Sequence, residues 1–276
     1  MHGIDIILPG GLFENGRIER HARFRPLTGR IEQTLIESEL SVNRSAHVTS
    51  ILLNFLESIG GKPVNAVRIA DLCVPDRQYL MLRLAGLLYG EQMWLNASCR
   101  NCESLFDVEV HRSDLPVKEA GENFPLMTLH IEEWTVNFRI PTGADQELIF
   151  EKSESEAIEQ LLLTCVHSVN GKQPDREFIQ KLSEDNIKAI DSAMDDMAPA
   201  VCSQLLLTCP ECGQEQYTEL DHYALTGINL HSFYDEVHTL ASHYHWSEDV
   251  ILNLPQARRR LYLDMINRST GMSAQV

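Results

Sequence analysis

The sequence predicts an α+β fold, in which a unit of β-hairpin, helices and cysteine knuckle occurs twice and a helical C-terminal extension follows. Three observations carry this expectation. Segments of alternating and of helical apolar spacing succeed one another in the same order in both halves. Two C-x-x-C motifs, Cys99-Arg-Asn-Cys102 and Cys209-Pro-Glu-Cys212, each end an apolar run and open a β-like segment. Matched landmarks also keep a near-constant offset: 114 residues from Thr28 to Thr142, 111 from Gly60 to Gly171, and 110 between each pair of corresponding cysteines. A constant offset of this kind marks an internal repeat.

The first repeat is placed at residues 1–113. Ile4, Ile6 and Leu8 alternate, Gly10-Gly11 and Asn15-Gly16 supply turn residues, and Ile18 to Phe24 returns as the second strand of a hairpin. After Arg25-Pro26-Leu27, Thr28 is suited to cap a helix carrying Ile31, Leu35 and Ile36. Val48, Ile51, Leu52, Phe55, Leu56 and Ile59 form the stripe of a second helix, stopped by Gly60-Gly61. A third helix from about Asp76 buries Leu80, Leu84, Leu87 and Leu88 and ends near Gly90. Trp94 to Ala97 enters the first knuckle, and Leu105 to Val110 leaves it.

A stretch rich in Pro, Gly and charge, 114–125, reads as a linker, and the second repeat occupies 126–221. Met127 to Ile140 is a hairpin turning at Glu132-Glu133, and Pro141-Thr142-Gly143 repeats the helix start. Ile158, Leu161, Leu162, Cys165 and Val166 stripe the next helix up to Asn170-Gly171, and a charged helical stretch runs from Asp175 to Met197. Leu205 to Thr208 enters the second knuckle, and Gln216 to Leu220 leaves it. The extension, 222–276, holds an amphipathic helix from His231 to His245, a restart capped by Ser247, and a helix from Gln256 to Asn267 after the break at Leu254-Pro255. Ser269 to Val276 reads as a frayed tail.

A C-x-x-C pair sets two thiolates on one tight turn, half of a tetrahedral zinc site. Cys99, Cys102, Cys209 and Cys212 therefore read as one structural Zn2+ site. Their separation, far beyond that of a zinc ribbon, is explained if each repeat contributes one knuckle. The metal would then fasten the two halves and offset the entropy of ordering the chain between them. A redox dithiol and an iron–sulfur ligand set are the competing uses of such motifs. Cys73, Cys165 and Cys202 stand among apolar residues and read as core thiols.

Acidic residues outnumber basic ones 40 to 23, a net charge of −17. Such a surplus repels a phosphate backbone and suits solubility or a basic protein surface. No run approaches the roughly 20 apolar residues that span a bilayer, and Met1 to Asp5 lacks the pattern of a signal peptide, so a cytoplasmic protein is expected. His231, Asp235 and His238 share a helical face and His243 and His245 flank Tyr244, but there is no H-E-x-x-H motif. Neither G-x-S-x-G nor a Walker or dinucleotide loop is present, so no catalytic residue is assigned and no enzyme is expected. Arg258-Arg259-Arg260 is the one concentrated basic patch, and it reads as a solvated face or as an anchor for an acidic surface, a partner's or this chain's own.

Several stretches together resemble a known family: Phe24-Arg25-Pro26-Leu27-Thr28-Gly29-Arg30, Pro141-Thr142-Gly143-Ala144-Asp145-Gln146-Glu147, Leu207-Thr208-Cys209-Pro210-Glu211-Cys212-Gly213, Tyr244-His245-Trp246-Ser247-Glu248 and Arg258-Arg259-Arg260-Leu261-Tyr262-Leu263. In this order they are similar to the baseplate-hub and tail-assembly proteins of contractile-tailed, T-even-like phages and of phage-derived contractile injection systems. The resemblance runs over most of the chain and is most specific in its last third. The chain departs from the pattern at Ile31, where such proteins often carry an acid, and at Arg100, Asn101 and Glu103, where Pro and Gly usually surround the cysteines. The resemblance implies a non-enzymatic structural or assembly role, with baseplate, hub or tape-measure-type tail proteins as partners. Trp246, Arg258, Arg259, Arg260 and Tyr262 are the candidate docking residues. The competing expectation is a zinc-ribbon regulatory adaptor that contacts nucleic acid or the transcription machinery.

Overall fold

A computed structural model of the chain describes residues 3–37, 43–224, 230–269 and 271. Strands β1 (Ile4–Glu14) and β2 (Arg17–Phe24) form the expected hairpin, turning at Asn15-Gly16, where both residues adopt positive φ as a tight hairpin turn requires. Gly10-Gly11 is not a second turn. The register slips between Ile7 and Leu12, and the Gly10 and Gly11 amides donate to the buried Asp76 carboxylate at 2.8 and 2.6 Å.

Helix α1 (Gly29–Glu37) follows, then α2 (Arg44–Phe55), whose first turn is capped by Asn43. The second helix was expected to run to Ile59, but it stops at Phe55. Residues 56–59 extend as β3 (Leu56–Ile59) beside β2, and Gly60-Gly61 turns into β4 (Lys62–Pro63). The exchange is physical: β2 needs a partner for its free edge, and as a strand Leu56 and Ile59 still reach the core with no exposed surface. Helix α3 (Ala66–Ala70), capped by Asn65, is too short to show a period, and α4 (Val74–Tyr89) follows it. Leu8, Phe24, Leu52, Phe55, Ile59 and Leu84 belong to the core of this half.

The second half repeats the order. Strands β8 (Leu126–Ile131) and β9 (Trp134–Arg139) turn at Glu132-Glu133, and α5 (Gly143–Ile149) and α6 (Glu154–Cys165) follow. Here too the stripe expected to continue to Asn170 breaks, and β10 (Val166–Val169) pairs with β9. The charged stretch is two helices, α7 (Arg176–Lys181) and α8 (Glu184–Met197), separated where Ser183 caps α8. Phe138, Val136, Ile190 and Met197 lie in its core.

Each half ends in a two-stranded hairpin: β5 (Gln92–Ser98) with β6 (Leu105–His111), and β12 (Gln204–Thr208) with β13 (Glu215–Glu219). Within the 114–125 stretch, β7 (Val117–Lys118) pairs with β11 (Ala200–Val201). Leu82, Leu115 and Val201 pack there, with Met93, Val110, Leu205 and Leu220 against them, so the two hairpins share a small apolar base. At the end of the chain α9 (Leu230–Tyr244), α10 (Glu248–Leu252) and α11 (Gln256–Ser269) form a module with its own core of Phe233, Val237, Leu240, Ile251, Leu252 and Ile266. Most of the tail expected to fray lies outside the described residues.

Candidate metal centre

The two C-x-x-C motifs sit at the tips of the β5–β6 and β12–β13 hairpins, and the tips meet. Both knuckles close in the same way. The Cys99 amide donates to Ser104 O at 2.9 Å and the Glu103 amide to Cys99 O at 3.0 Å; in the second, the Cys209 amide donates to Gln214 O and the Gly213 amide to Cys209 O, both at 2.9 Å. The left-handed residue of the second turn is Gly213, φ 71°, and of the first Glu103, φ 59°. The first knuckle therefore keeps the turn without the glycine, at the steric cost a side chain bears in that conformation.

The four sulfurs all lie within 4.8 Å of one another, with Cys99 and Cys209 buried and Cys102 and Cys212 exposed. Across the two hairpins, Cys99 Sγ lies 3.6 Å from Cys212 Sγ and Cys102 Sγ 3.7 Å from Cys209 Sγ. A tetrahedron with metal–sulfur bonds of about 2.3 Å has edges of about 3.8 Å, so these separations fit a four-thiolate ion and are far beyond a disulfide of about 2.05 Å. The four sulfurs form one cluster contributed by two hairpins whose cysteines are 110 residues apart in the chain.

Backbone and amide groups around the sulfurs favour thiolates. The Asn101 amide points at Cys99 Sγ at 3.4 Å and the Asn101 side chain at Cys212 Sγ at 3.6 Å. The Cys102 and Asn101 amides lower the Cys99 thiol, and Cys212 is held down to about 6, first by the Gln214 amide and then by the Asn101 side chain. For Cys102 the Ser104 amide favours the thiolate, but the contacts of its thiol with the other cysteines, Cys212 first, prevail and push it up to about 12. Four sulfurs this close cannot all be anions without a cation between them, and this donor set suits a soft divalent ion.

Sequence reading missed the residue that joins the knuckles. Gln216, 8% exposed in β13, accepts from the Arg100 amide at 2.8 Å and donates to Ser98 O at 2.9 Å, both on the other hairpin. The signal available was its register, since Gln216 sits opposite Leu207 on the inward face of a strand, where an apolar residue is the usual choice.

No other group of three or more His, Cys, Asp or Glu ligands converges among the described residues. His238 lies 3.5 Å from the Ser242 hydroxyl, and the side chain of His231 lies outside the described residues. Cys73 and Cys165 are buried, Cys202 half-buried; burial raises the Cys73 thiol and lifts Cys165 to about 11.

Of the candidate docking residues, Arg259 is buried and the other four are at least partly exposed. Arg259 has no exposed side chain and pairs with Glu32 at 2.7 Å, so it anchors the chain's own acidic body and is withheld from any partner in this structure. Arg258 lies over the Tyr262 ring, and Arg260 donates to Leu88 O at 3.3 Å. Trp246 stacks on Tyr244 with centroids 4.7 Å apart and meets Tyr262 edge-on at 4.9 Å, so both aromatic candidates bind the C-terminal helices together. More exposed apolar side chains stand on the outward faces of the cysteine hairpins: Trp94 on β5, and Leu206 and Tyr217, directly paired across β12 and β13.

A family model described as T4 bacteriophage base plate protein matches residues 14–224, a span that holds both cysteine pairs and stops before α9. The C-terminal stretches that contribute to the family resemblance therefore lie beyond the match. No curated protein and no solved structure matches the chain.

Proposed function

The chain belongs to the T4 bacteriophage base plate protein family, and on that premise we propose that it is a non-enzymatic structural or assembly protein of a contractile-tail baseplate or hub, working through protein–protein contacts. The single observation that carries this reading is the family match over both halves. One structural zinc held by Cys99, Cys102, Cys209 and Cys212 is part of the proposal, supported by the tetrahedral sulfur spacing. With all four positions taken by sulfur, the ion would have no open position for chemistry and would supply a cross-link. The matched order of elements on the two sides of residues 114–125 supports reading the halves as copies of one unit.

Baseplate, hub or tape-measure-type tail proteins are the proposed partners, and incorporation in the tail the proposed destination. Among the described residues no helix is long and apolar enough to cross a membrane. The outward hairpin faces carry Asp107, Glu109, Glu215 and Glu219 beside the exposed aromatics, which favours a basic protein surface over nucleic acid. Affinity purification of the full chain from cells producing the particle tests the reading. Recovery of tail proteins is expected; robust retention of nucleic acid at physiological salt, with no tail protein, would overturn it.

A further inference from the structure

Two distant places in the chain are joined by one bonding pattern. At the start of α5, the Gly143 amide donates to Leu72 O at 3.0 Å and the Val74 amide to Pro141 O at 3.2 Å, bridging Thr142 to Cys73. At the start of α1, the Gly29 amide donates to Leu254 O and the Gln256 amide to Leu27 O, both at 3.2 Å, bridging Thr28 to Pro255. In both, the incoming segment links a five-residue helix to a long one: α3 to α4 in the first case, α10 to α11 in the second.

Five residues after each bonding leucine stands a fully buried arginine, Arg77 after Leu72 and Arg259 after Leu254. Each guanidinium fills the space beside the glycine. A Cβ on Gly143 would lie 2.3 Å from Arg77 Nη1, and one on Gly29 would lie 2.8 Å from Arg259 Nη1. Neither glycine has positive φ, so both are required for space rather than for backbone conformation. The helix pair α7–α8 carries Ile187 at the matching distance from Leu182 and makes neither bridge among the described residues.

The two sockets differ in charge. Arg77 donates to Ser45 O at 2.7 Å, Ile69 O at 3.1 Å and Thr49 Oγ1 at 3.0 Å, all uncharged. Arg259 instead meets the buried Glu32 carboxylate at 2.7 Å, with Glu236 at 3.8 Å and the Phe233 ring beneath it. Three residues after its glycine, the socket at α1 (the first along the chain) has Glu32 where the socket at α5 (the second) has Gln146.

We propose that the Leu27–Gly29 edge together with Glu32 is a docking site for an arginine-bearing helix pair, that α10–α11 is its ligand, and that the C-terminal extension is thereby seated on the first half as a third helical module. The recognition elements are a leucine carbonyl, an amide two residues on and a guanidinium five residues on; the glycine admits the guanidinium and Glu32 neutralises it. Seated in this way, α11 turns Leu261 and Met265 outward while Arg259 faces in. This inference depends neither on the baseplate reading nor on the metal.

Hydrogen exchange on full-length variants tests it. Glu32→Gln installs the residue of the α5 socket and leaves buried Arg259 with only the more distant Glu236, at 3.8 Å, as counter-charge; amide exchange in α10 and α11 is expected to rise at least about tenfold, with α3–α4 unchanged. Gly29→Ala should give the same pattern. Gly143→Ala should give the reciprocal one, loosening α3–α4 and α5 while α10–α11 stay protected. Exchange in α10–α11 within about twofold of wild type in both first-socket variants would overturn the proposal. So would loosening of α3–α4 by Glu32→Gln to the same extent as α10–α11.

Discussion

Glu103 and Gly213 fill the same place in two otherwise matching turns, and only one is the residue that place prefers. Glu103 is exposed. Glu103→Gly should therefore relieve the left-handed strain and raise stability by about 0.5–1 kcal/mol, net of the greater freedom glycine gives the unfolded chain. A urea midpoint that fails to rise would show that the first knuckle bears no strain. The cysteines were legible in the sequence because C-x-x-C spacing is itself a geometric statement. Asp76 and Arg77 were not. Arg77 stands on the same helical stripe as Leu80, Leu84 and Leu88, but its partners are carbonyls and hydroxyls contributed by Ser45, Thr49 and Ile69, which no local pattern connects to it. A charge on an apolar stripe is the trace such a residue leaves.

Among the elements, α5 shows best how a helix start is held. Thr142 and Asp145 form a reciprocal capping box, and Arg139 grips Asp145 with two bonds of 2.6 and 2.9 Å. Burial alone would raise the Asp145 carboxyl; Arg139 and the Thr142 amide more than offset it and hold the group below its usual range. A carboxylate lowered by folding stabilises above the ordinary Asp value of about 3.9 and loses that contribution as pH falls through the folded-state value, because the unfolded chain takes up its proton first. Asp145→Asn should cost about 1–3 kcal/mol at neutral pH, a difference that shrinks in strongly acid solution; a pH-independent difference would contradict this assignment. At the start of α1 the matching position is Ile31, which packs against the first core and cannot form the box. Apolar spacing located the longer helices, yet it ran α2 and α6 on through β3 and β10, because Leu56, Ile59 and Val166 suit a helical stripe as well as a strand. Pairing with β2 and β9 decided between them, and that partner is remote in sequence.

At the scale of the molecule, the order of the hairpins and longer helices and the offset of the cysteines were legible, since both are properties of the chain as written. How the parts of the chain engage beyond the cysteines was not, because the β7–β11 pairing, the two arginine sockets and the Gln216 link each join residues far apart in sequence. On the proposed reading, metal joins the hairpin tips while Leu82, Leu115 and Val201 join their bases. Cys209→Ser should then speed amide exchange in both hairpins, 92–111 and 204–219, while the α8 core stays protected. An effect confined to 204–219 would mean that the ligands are not shared. Acidification should release the ion, since thiolates must be protonated as it leaves. The most direct test is X-ray absorption at the zinc edge on the purified full-length protein. One ion per chain surrounded by four sulfurs at about 2.3 Å is the predicted result. An ion bound by two sulfurs with nitrogen or oxygen, or two ions per chain, would contradict it.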